Sequence, residues 1–181
     1  MQRARELLQE FWDVKDRPTR SRVFRTRQTS TRSRVFRTRQ TWTPPSKGFY
    51  KINFDGAIFE SSGRAGMGVV VRDVEGMAIA ALSQNLPLPS SVDSVEVLAA
   101  RRAIILAQEI SLTQVVVERD SLKVIATINS PKQSRTEWGH IIEDIKNASL
   151  CLQACSFCHV SSTGNSLAHS LQEKQLVAVI V

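Results

Sequence analysis

Asp55, Glu96 and Asp120 are carboxylates set in apolar surroundings, far apart along the chain. Asp55 stands in the middle of KGFYKINFDGAIFE, residues 47–60, where Ile52, Phe54, Ala57, Ile58 and Phe59 read as a core strand. A buried, unpaired charge there costs several kcal/mol. Glu96 falls in the first turn of a long apolar helix, and Asp120 ends an apolar strand. Clustered carboxylates repel one another unless positive charge sits between them. Divalent cations meet that need, because Mg²⁺ takes carboxylate and water oxygens in octahedral geometry. Two such ions about 4 Å apart clamp the attacking and departing oxygens of a phosphodiester. Gly56, directly after Asp55, would leave room for metals and a phosphate backbone to approach. Each acid also has a plainer reading. Asp93-x-x-Glu96 spells a capping box, Asp120 suits the N-cap of the helix after it, and Asp55 could end a strand facing water. Convergence of all three on one spot depends on the elements that carry them.

Those elements follow from the hydrophobic pattern. Residues 49–59, 63–73 and 77–86 read as three strands joined by short turns, hence an antiparallel meander. SVEVLAARRAIILAQEI, 94–110, reads as a strong helix with Val97, Ala100, Ile104 and Ala107 facing inward. TQVVVERD, 113–120, is a buried strand of the parallel type. Helices at 121–130 and 136–150, a strand at 154–160 and a helix at 165–176 complete the order βββαβααβα. A meander followed by αβ crossovers gives a mixed sheet flanked by helices. In such a sheet the first strand and the strand after the long helix can lie side by side, with Asp55 next to Asp120 and Glu96 presented by the crossing helix.

Charge is distributed unevenly. Residues 1–50 hold 13 Lys and Arg against 4 Asp and Glu, whereas residues 51–181 hold 11 against 13. The basic excess lies wholly in the first fifty residues and points to an anionic partner such as nucleic acid. TRSRVFRTRQT occurs at 19–29 and again at 31–41, with eight arginines: Arg20, Arg22, Arg25, Arg27, Arg32, Arg34, Arg37 and Arg39. We read 1–48 as a basic, largely disordered arm with a short amphipathic helix at 2–16, and 49–176 as the folded domain. Residues 177–181 read as an apolar tail. No run approaches the length of a membrane span, and no apolar signal core opens the chain. The expectation is a monomer inside the cell, in nucleus or cytoplasm, with an organelle also open.

WTPPSKGFYKINFDGA, GRAGMGVVVRDVEG, SVEVLAARRAIILA, VVVERDSLKVI and HVSSTGNSLAHSL follow one another over about 42–172. In this order and spacing they resemble the ribonuclease H-like fold, in its plant branch of reverse-transcriptase-like ribonuclease H domains. The resemblance implies an α/β fold with a mixed five-stranded sheet, three antiparallel strands and then parallel ones, flanked by helices. It implies a retroelement-derived, divalent-metal-dependent endonuclease that hydrolyses the RNA strand of RNA–DNA hybrids. Two Mg²⁺ would be bound, with Mn²⁺ as a substitute. Asp55 would bridge both ions, and Glu96 and Asp120 would hold the ion nearer the leaving oxygen. His169 falls where active relatives carry a fourth carboxylate, as it often does in the plant branch. Neutral imidazole is a poor Mg²⁺ ligand, so the implied activity is weak or Mn²⁺-favouring. The alternative is a catalytically weak or inactive nucleic-acid-binding module. Gly56, Asn165 and the eight arginines of the arm would contact nucleic acid.

CSFCH at 155–159 matches a haem-attachment pattern, and Cys151, Cys155, Cys158 and His159 could be drawn as a zinc site. The segment lies in a strand, whose alternation sends Cys155 and Cys158 to opposite faces. We read the cysteines as small buried hydrophobes.

Overall fold

β1, Tyr50–Phe59, is bordered on both sides, antiparallel by β2 (Arg64–Arg72) and parallel by β4 (Gln114–Arg119). This pairing satisfies its backbone on both edges and buries Ile52 and Phe54 completely. The computed structural model describes residues 42–172 and 178–180. The chain divides into two units, 1–39 and 40–181. Residues 1–41, including the expected helix at 2–16 and the eight arginines, lie outside the described residues.

β3 (Ala78–Pro87) closes the antiparallel meander beside β2, and β5 (Ala154–His159) lies parallel to β4. The order across the sheet is β5-β4-β1-β2-β3, with a short β6 (Ala178–Ile180) antiparallel on the far edge of β3. The domain therefore has the expected five-stranded mixed sheet. Residues 178–180 of the apolar ending read as a tail instead form a sixth strand, whose backbone pairs with the open edge of β3.

Four helices flank the sheet: α1 (Val92–Glu109), α2 (Leu122–Asn129), α3 (Gly139–Ser149) and α4 (Ser166–Gln172). α1 lies between the sheet and α3. Burial on two sides explains why Val97, Ala100, Ile104 and Ala107 are all inaccessible, together with Val95, Ala99 and Ala103. Each large apolar side chain so buried contributes about 1.5–3 kcal/mol. α1 begins two residues earlier than the pattern suggested. Ser91 is its cap and accepts a hydrogen bond from the Ser94 amide. The capping box drawn from Asp93 to Glu96 is not used; Asp93 pairs with Lys123, and Glu96 points elsewhere.

Two close approaches fix the helices on the sheet. A Cβ on Gly56 would lie 2.8 Å from Val95 Cγ1, so the bare backbone there admits the first turns of α1. On the other face, Cβ atoms on Gly66 and Gly68 would lie 2.4 and 2.2 Å from the carbonyls of Gln172 and Ala168, so α4 sits directly on β2.

A polar layer lies beside the core. Lys51 Nζ meets Glu118 Oε1 at 2.9 Å, and the Asn53 amide donates to Glu118 Oε2 at 3.2 Å. Arg72 Nη2 donates to Asn53 Oδ1 at 2.9 Å, and its guanidinium stacks 3.8 Å from the Trp42 ring centroid. Burial pushes Arg72 down to about 10, against the opposing pull of Glu118, so it remains charged near neutral pH. Through Trp42 the packed unit reaches back into the segment that the sequence assigned to the arm.

Candidate active site

Asp55, Glu96 and Asp120 converge. The pairing of β1 with β4 carries Asp120, one residue beyond β4, to the neighbourhood of Asp55. α1, seated on Gly56, brings Glu96 to the same place. Asp55 is 3% exposed and Glu96 8%. Asp55 Oδ1 also accepts from the Gly56 amide at 2.8 Å, which fixes the carboxylate against its own strand.

What joins the three acids is a side chain the sequence reading passed over. Arg119 Nη1 donates to Asp55 Oδ1 and lies 3.0 Å from Asp120 Oδ1, while Nη2 donates to Glu96 Oε1 at 2.8 Å. Nη1 also approaches the Phe54 carbonyl at 3.4 Å. The planar guanidinium fork suits several carboxylate oxygens at once. Arg119 Nε and Glu96 Oε2 are buried without a hydrogen-bond partner. One signal pointed to this residue: Glu118, Arg119 and Asp120 are three charges in succession at the end of an apolar strand. Alternation then requires at least one of them to turn inward.

His169 closes the other side. Its Nδ1 lies 2.8 Å from Asp55 Oδ2, and Gln172 Nε2 lies 2.8 Å from the same nitrogen. The two contacts call for opposite tautomers: Asp55 Oδ2 takes a proton from Nδ1, whereas Gln172 Nε2 donates to a bare Nδ1. Asn165, expected to touch nucleic acid, is 1% exposed. Its amide donates to the Phe54 carbonyl at 3.0 Å and reaches Asp120 Oδ1 at 3.4 Å, so it braces the acids from behind. Asp120 is not the cap of α2, whose N-cap is Ser121. Gly56 lines the cleft by its backbone, while the room left by its missing side chain is taken by Val95. Asp55, Arg119, Asp120 and His169 border an open cleft of about 760 Å³.

The carboxylate set has the donor chemistry of a hard divalent cation. The space between the acids does not fit one, because the Arg119 guanidinium fills it. Among the described residues, no group of three or more His, Cys, Asp or Glu side chains is arranged to hold a metal ion. The cysteines offer no alternative. Cys151 and Cys158 are exposed, which corrects their reading as buried, and only Cys155 packs against the core. Burial pushes the Cys155 thiol up, against a hydrogen bond from Ser149.

The model of the reverse transcriptase-like family matches residues 53–174. The chain belongs to that family. No curated protein sequence matches it. Among solved structures it is similar to RNase H1 from the halophilic archaeon Halobacterium salinarum, at 18% identity and a TM-score of 0.65, over 70% of this chain and 96% of that one. It is similar to the N-terminal RNase H domain of a Mycobacterium tuberculosis protein, at 17% identity and a TM-score of 0.64, over 70% and 92%. It is similar to LC11-RNase H1, solved with an RNA/DNA hybrid, at 21% identity and a TM-score of 0.62, over 69% and 94%. The fold of this reverse transcriptase-like domain is therefore RNase H-like. No helix among its described residues is long and apolar enough to cross a membrane.

Proposed function

We propose that this domain engages RNA–DNA hybrids and hydrolyses the RNA strand as an endonuclease of low activity. The observation that carries the reading is the meeting of Asp55, Glu96 and Asp120, from three separate elements, beside an open cleft that Asp55 and Asp120 line. Such an assembly is expensive to bury and has no evident purpose in packing. Similarity to an RNase H solved with an RNA/DNA hybrid supports the choice of substrate. The family description supports a retroelement origin.

In this reading Asp55, Glu96 and Asp120 form the acidic wall of the site. Asn165 holds Asp120 and the β1 backbone in place, and His169 borders the cleft in contact with Asp55. Mg²⁺ or Mn²⁺, which the sequence reading calls for, would meet acids already bound to Arg119, and for that reason the expected rate is low. A labelled hybrid incubated with either metal tests the proposal. The wild type should cut the RNA strand and Asp55→Asn should not; equal cleavage by both would remove the assigned site.

A second reading, a hybrid-binding module with quenched chemistry, is favoured by the same Arg119 contacts. It expects binding of the hybrid without cutting. In either case the basic arm would add phosphate contacts, each contributing about 0.7–0.9 to the log–log salt slope of binding.

A further inference from the structure

The acidic site carries its own cation. Three carboxylates face one guanidinium, which leaves two formal negative charges in excess among these four side chains. The Arg119 side chain is 7% exposed and engages one oxygen of each acid. A divalent ion bound there would need those same oxygens, and its charge would lie within contact range of the guanidinium. The two cations therefore compete for one seat. The second oxygen of Glu96, buried and without a partner, points to a coordination capacity that one planar fork does not exhaust.

We propose that Arg119 is a built-in counter-cation that occupies the acidic pocket in place of a divalent ion, so that residue 119 determines whether the pocket takes metal. The inference deepens the hydrolase reading and rests on it for the role of the acids. It also explains how two buried carboxylates, Asp55 and Glu96, are tolerated beside the partly exposed Asp120: the guanidinium compensates them from within. Removing it should leave a site that demands a cation from solution.

The full chain, Arg119→Ser, Arg119→Gln and the double variant Arg119→Ser with Asp55→Asn are compared in two measurements. Free Mn²⁺ is followed by its paramagnetic resonance signal, and thermal unfolding is recorded in EDTA and in Mn²⁺. Both single variants should bind Mn²⁺ about tenfold or more tightly than the wild type. Their unfolding midpoints should rise with Mn²⁺, since a ligand of the folded state stabilises by mass action. The double variant should lose both effects. Arg119→Gln is shorter than arginine but keeps an uncharged polar side chain in the pocket, which covers the case in which the serine variant does not fold. Equal Mn²⁺ affinity in the wild type, no binding by either variant, or failure of both to fold even with Mn²⁺ would overturn the inference. Hybrid cleavage separates the two claims. A variant that binds Mn²⁺ yet leaves the hybrid intact defeats the hydrolase reading and preserves the role of Arg119. A wild type that cuts while neither variant binds Mn²⁺ does the reverse.

Discussion

Two charged clusters lie side by side in this domain, and β1 supplies both. Asn53 belongs to one and Asp55, two residues on, to the other. β4 does the same with consecutive residues, Glu118 and Arg119. In the first cluster Lys51 and Arg72 face Glu118, Asn53 bridges them, and Trp42 covers the outer side. In the second, three acids share a single guanidinium at the edge of a cleft. The first is covered and interlocked, and serves to hold the sheet and the chain segment before it. The second is anionic and open on one side, which is wasteful for stability and apt for chemistry.

Breaking the covered cluster should have the largest effect. Glu118→Ala leaves Lys51 and Arg72 buried without their anion and should cost about 3–5 kcal/mol in urea unfolding. Arg119→Ala strips the acids of their cation, but Asp120 stays partly exposed and Asp55 borders the cleft, so in EDTA it should cost about 1–3 kcal/mol. An Arg119→Ala loss as large as that of Glu118→Ala would mean that the second cluster is structural too. Asn165→Ala removes the brace behind Asp120 and should cost about 1–2 kcal/mol while also lowering any hybrid cleavage. Trp42→Ala should cost the least of the four through its cation contact, about 0.5–1 kcal/mol for that interaction, and should leave cleavage unchanged. The size of the drop in Glu118→Ala should not respond to Mn²⁺, whereas that in Arg119→Ala should shrink.

The fold was legible because strand alternation, helix periodicity and short turns are local signals. Asp55, Glu96 and Asp120 stood out since each interrupts an apolar run, and topology alone brought them together. Arg119 escaped notice for the opposite reason. A basic residue at a strand end reads as solvated, and nothing in linear spacing says that a long side chain folds back onto acids 64 and 23 positions away. Lys51, Arg72 and Glu118 were missed likewise, as charges that pattern reading assigns to water. Gly56 and Asn165 were noticed, but not the packing each one serves: one accommodates a helix, the other supports an acid from inside. The ending at 178–180 could not be seen as a strand without the open edge of β3.

The seating of α4 on bare glycine backbone has a mechanical consequence. With Ala168 O within 2.2 Å of where a methyl on residue 68 would stand, any side chain there must push the helix outward. Asn165 precedes that helix and His169 lies within it, so a single carbon atom on the neighbouring strand would act as a wedge beneath both and loosen the acid wall without touching a charge.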